Sequence, residues 1–83
     1  SNYNIGFKYI VNNGIVEVFK TNVIVAGQAI ELISRFSTDS PELIANFDLE
    51  DCDKILRIEG MFIRKDKIVK TLYSKGYLCE VFE

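Results

Sequence analysis

Asn46-Phe47-Asp48-Leu49-Glu50-Asp51-Cys52-Asp53-Lys54-Ile55-Leu56-Arg57-Ile58-Glu59 reads as two alternating strands joined by a tight acidic turn. The alternation extends the strands to residues 43–49 and 54–61, with Glu50-Asp51-Cys52-Asp53 as the turn. On either side the apolar period changes from two to that of a helix. Upstream, residues 25–36 carry Ala29, Ile30, Leu32, Ile33 and Phe36 as an apolar stripe, with Thr21 or Asn22 as the expected N-cap. Ser37-Thr38-Asp39-Ser40-Pro41 is expected to end that helix, because Pro41 disfavours helical geometry in the residue before it. Downstream, residues 64–75 form a second helix with Ile68, Val69, Leu72 and Tyr73 as its expected buried face, closed by Lys75-Gly76.

Two further strands complete the pattern. Residues 15–22 alternate, with Val16, Val18 and Lys20 on one face and Ile15, Glu17, Phe19 and Thr21 on the other. Residues 77–82 form the last strand. The order βαββαβ predicts an α+β fold, a ferredoxin-like sandwich. Its four-stranded antiparallel sheet has the expected order 4-1-3-2, with both helices on one face.

Residues 3–11 suit a strand as well, and Asn12-Asn13-Gly14 follows as a turn signal. Strand one is expected to be central, with neighbours on both sides. The extra strand must then cover an edge, lie across the open face, or pair with another molecule. That surplus predicts a homodimer or strand exchange as one outcome and packing on its own chain as the other. The expected division is residues 1–14 as a tag remnant and extra strand, and 15–83 as the domain. Ser1-Asn2 reads as the scar of a cleaved tag or as the start of an excerpt from a longer protein.

Composition narrows the function classes. The chain has 83 residues, 48% of them hydrophobic, enough for one packed domain. A domain this short buries only about 60–65% of its unfolded surface. The net charge of −2 carries no electrostatic footprint for nucleic acid, and no apolar run approaches a membrane span. The absence of His removes the commonest general base and the commonest metal ligand. Cys52 and Cys79 are expected as free thiols of a small cytoplasmic protein.

From Ile15 to Phe82 the chain resembles the heavy-metal-associated domain of copper chaperones and metal-transporting ATPases. The resemblance rests on length, on the βαββαβ order, on Asp48-Leu49-Glu50 at the first hairpin and on Lys75-Gly76-Tyr77 before the last strand. That family holds a soft ion between two thiolates of a Met-x-Cys-x-x-Cys loop after strand one. Counting back without gaps from Asp48 puts Val23 at the Met position, and Val25 and Gln28 at the two cysteines. The resemblance therefore implies the family's fold without its metal site and without a cofactor.

Cys52 is the one candidate replacement ligand, since its turn falls at the family's metal end. Asp51 and Asp53 beside it blunt a thiolate. Cys79 shares parity with Tyr77 and Val81 and is expected in the core. Asp48, Glu50, Asp51 and Asp53 lack the spacing and the ligand number of a calcium loop. Strand three offers no aromatic for stacking RNA bases. No nucleophile–base pair can be assembled, so no enzyme is expected.

Charge is segregated along the chain. Residues 39–53 hold six acids and no base, net −6. Residues 54–75 hold seven bases against Glu59 and Asp66, net +5. Ordinary solvated surface and a complementary docking surface both account for this. The expectation is a small non-enzymatic interaction module that meets a protein partner or a second copy of itself. The alternative is a metal-binding or redox protein that uses Cys52, bridged across a dimer.

Overall fold

A computed structural model describes residues 14–82. The chain runs β1 (Ile15–Thr21), α1 (Ala26–Asp39), β2 (Ile44–Asp48), β3 (Ile55–Gly60), α2 (Lys65–Ser74) and β4 (Cys79–Val81). The sheet order is β2-β3-β1-β4, and every neighbouring pair is antiparallel. Counted from the other edge the same sheet runs β4-β1-β3-β2. The architecture is α+β, an open four-stranded sheet with two helices. The expected strand over residues 3–11 lies outside the described residues. Among the described residues no helix is long and apolar enough to cross a membrane.

The central hairpin pairs from Ile44↔Glu59 to Asp48↔Ile55. Strand alternation then sends Leu56 and Ile58 to the helix side, where both are fully buried beside Phe19 of β1. Ala29, Leu32 and Phe36 of α1, Ile68 and Leu72 of α2, Val23 and Cys79 complete the core. None of the buried residues among those described is polar or charged.

Each helix buries a narrower stripe than its apolar residues suggest. With about 100° per residue, Ala29, Leu32 and Phe36 share one line of α1. Ile33 falls to its flank, half-buried, and Ile30 turns well away and is 67% exposed. On α2, Ile68 and Leu72 set the line, Val69 flanks it, and Tyr73 is 57% exposed. Ile30 and Tyr73 are therefore not core residues: each helix packs on the sheet through one face only.

The helix ends differ from expectation as well. Val25, not Thr21 or Asn22, is the N-cap of α1, and it provides no side-chain cap bond. Both expected caps are occupied elsewhere: Thr21 Oγ1 donates to the Lys54 carbonyl at 2.6 Å, and Asn22 Oδ1 accepts the Leu78 N–H at 2.8 Å. At the other end α1 continues through Ser37 and Thr38 to Asp39, because Pro41 constrains only Ser40, which leaves helical geometry. Arg35 Nε donates to Asp39 Oδ2 at 2.8 Å across that last turn.

Helix α2 stops as the sequence suggests. Gly76 sits at φ +93°, its N–H donates to the Tyr73 carbonyl, and the Tyr77 N–H reaches back to Leu72 at 2.9 Å. This is a Schellman stop, which glycine adopts without the Cβ penalty of a left-handed residue.

The strands are shorter than predicted, and β4 most of all. It covers only the second half of β1, pairing Phe19↔Val81, Lys20↔Glu80 and Thr21↔Cys79. Strand one is central, between β3 and β4; among the described residues its β4 side is paired from Val18 onward.

Candidate functional site

Three connections meet at one end of the sandwich. β1 runs into the loop to α1 there, the antiparallel hairpin β2–β3 turns there, and the chain from α2 enters β4 there. This is the end at which the resemblance places a metal loop.

Hydrogen bonds stitch the three connections together. The Thr21 N–H donates to the Asp53 carbonyl at 3.1 Å, and Thr21 Oγ1 also accepts the Val23 N–H at 3.1 Å. The Asn22–Leu78 bond fastens the β4 approach to the same loop. Within the acidic turn, Asp48 Oδ1 accepts the Glu50 N–H and Asp51 Oδ1 accepts the Asp53 N–H. Lys54 holds a left-handed backbone at φ 48°, an unusual state for a residue with a Cβ. Its N–H to the Asp51 carbonyl and its Nζ to the Leu49 carbonyl, at 2.8 Å, brace that geometry. The acidic residues thus serve the turn as hydrogen-bond acceptors.

The three positions matched to the metal motif have other surroundings. Val23 is fully buried and anchors the loop in the core. Val25 starts α1 half-exposed, and Gln28 is half-buried in the first helical turn. Two aliphatic side chains and one neutral amide offer no thiolate to a soft ion.

The two thiols occupy different settings. Cys79 is 5% exposed in the core, and burial, with a smaller contribution from the Glu80 charge, pushes its thiol up to about 11. Cys52 is exposed at the tip of the turn. Ligand atoms of Asp51, Cys52 and Asp53 lie within 4.8 Å of one another.

Sequence reasoning passed over what this end displays most plainly, which is apolar surface. Ile24 is 66% exposed, Val25 49% and Leu78 63%. Tyr73 and Leu78 line one shallow depression together with Asn22. Strand parity carried a signal for Leu78, which alternates away from the core positions Tyr77 and Cys79. Ile24 and Val25 gave none, because residue type alone does not say which of three consecutive loop aliphatics is buried. No protein-family model matches the chain, no curated protein matches it, and no solved structure matches it.

Proposed function

We propose that this chain is a small non-enzymatic interaction module of ferredoxin-like architecture, related to heavy-metal-associated domains. In place of their metal loop it presents an apolar docking face to a second copy of itself. The observation that carries this is the exposure of Ile24, Val25 and Leu78 at one end. Clustered apolar exposure on a small domain marks association surfaces more often than single scattered residues do.

Charge placement favours a second copy as the occupant. β1 lies between β3 and β4, so the loop carrying Ile24 and Val25 is flanked by two unlike neighbours. On the β3 side stands the acidic turn with Glu50, Asp51 and Asp53; on the β4 side stands the end of α2 with Lys75. A two-fold axis through the apolar centre lays each acidic turn against Lys75 of the other copy.

Sedimentation equilibrium of the full chain across a concentration series tests the proposal. The expected result is reversible dimerisation, weakened at least about tenfold by Leu78→Asp or Ile24→Asp, with circular dichroism unchanged. A monomer at every concentration into the millimolar range contradicts it, as does an unaltered dimer in both variants.

The proximity of Asp51, Cys52 and Asp53 supports a second reading, a mixed thiolate–carboxylate site for Zn²⁺ completed across two subunits. Zinc titration in reductant separates the readings. Stoichiometric binding that is lost in Cys52→Ser and accompanies dimerisation favours this second reading. Metal-independent dimerisation favours the first.

A further inference from the structure

A cleft of about 480 Å³ opens between the second half of α1 and the chain that leaves α2. Helical spacing sets its first wall: Glu31, Arg35 and Asp39 follow one another at intervals of four residues and so share one flank of α1. Lys75, the C-cap of α2, and Tyr77, half-buried on the way into β4, form the other wall. Leu32, 2% exposed, closes the floor. The volume is in the range of small-molecule sites. The lining holds two acids and two bases, so its charges sum to zero.

We propose that this cleft binds a free aliphatic α-amino acid. Arg35 Nε donates to Asp39 Oδ2 at 2.8 Å, which fixes the guanidinium while its terminal nitrogens keep the fork that clamps a carboxylate. Lys75 across the cleft adds a second positive charge for the same group. Glu31 stands one helical turn before Arg35, a spacing that puts about 5–6 Å between Cβ atoms. That separation suits a ligand whose ammonium and carboxylate hang from one carbon. Leu32 and the Tyr77 ring give the ligand's side chain an apolar contact. A simple anion would meet the like charges of Glu31 and Asp39, and a simple cation those of Arg35 and Lys75. A zwitterion satisfies both signs.

The inference goes beyond the docking face, and its test leaves Lys75, which flanks that face, unchanged. Calorimetric titration of the full chain uses L-leucine, isocaproate, which lacks the ammonium, and isoamylamine, which lacks the carboxylate. Expected is L-leucine binding with a Kd at or below about 1 mM, and binding at least about tenfold weaker for each of the other two. Arg35→Gln and Glu31→Gln should each weaken L-leucine binding at least about tenfold. Both side chains are exposed and the Arg35–Asp39 ion pair is a surface one, so both variants should fold, with circular dichroism as the check. Ile24→Asp, aimed at the dimer, should leave L-leucine binding unchanged, so either reading can fail without the other. Absent binding, or a Kd above about 1 mM, overturns the inference. Equal affinity for L-leucine and isocaproate overturns it too, as does an affinity unaltered in both cleft variants.

Discussion

Phe19→Ala is expected to cost about 3–5 kcal/mol, enough to remove most of the stability of a domain this size. Phe19 is fully buried at the crossing of the structure: its strand pairs it with Leu56 on one side and Val81 on the other. Both helices close over the same cluster, through Leu32 and Phe36 of α1 and Leu72 of α2. Truncation leaves a cavity walled by the rigid sheet, which cannot collapse as a loop would. In thermal unfolding the loss corresponds to roughly 15–30 °C. Ile30→Ala is the matched comparison, an apolar truncation on a helix at a site 67% exposed. It is expected to change stability by no more than about 0.5 kcal/mol. Urea denaturation of both variants checks the pair. Equal losses would mean that Ile30 is covered and that the face assigned to α1 is wrong.

Cys79 is expected to resist alkylation in the folded protein and to react readily once the chain unfolds. Its thiol stands at about 11 against an ordinary 9.0, so at neutral or mildly alkaline pH the reactive thiolate is about a hundredfold scarcer than for an open cysteine. Burial at 5% exposure adds steric protection. The same shift has a pH consequence. The folded state favours the protonated thiol, so its stabilising contribution is complete below pH 9 and is lost as pH rises from about 9 to about 11. Mass spectrometry after a short iodoacetamide pulse should show modification at Cys52 alone in buffer, and at both cysteines in denaturant. Rapid labelling of Cys79 in buffer would contradict its place in the core.

Much of the fold is legible in the sequence because its central elements state their period without conflict. The strands around the acidic turn alternate cleanly, and Leu56 and Ile58 face the core as that alternation requires. Parity alone put Cys79 inside. What failed has a common physical cause: propensity is local, whereas packing is not. Ile30 and Tyr73 look like core residues by type, as Leu32 and Leu72 do, and only the position of the sheet decides that Leu32 and Leu72 are covered while the other two are not. Thr21 and Asn22 are good caps, but tertiary partners at Lys54 and Leu78 claim their oxygens.

The candidate site was legible mainly by what it lacks. Counting back from Asp48 located the loop and found Val25 and Gln28 where the resemblance calls for two thiolates. The apolar surface on that loop depends on how Val23 is buried while Ile24 and Val25 are not, a matter of loop geometry that no periodicity encodes. The shortness of β4 was equally hidden, because residues 77–82 alternate well enough to suggest a full-length strand.

Amide chemical-shift changes on raising the concentration of the full chain test the proposed docking face most directly. Dimerisation through it predicts concentration-dependent shifts concentrated at residues 22–26, 50–53 and 75–78, with the opposite end around Phe62 unmoved. Shifts confined to other surfaces, or none at all up to the solubility limit, would contradict it.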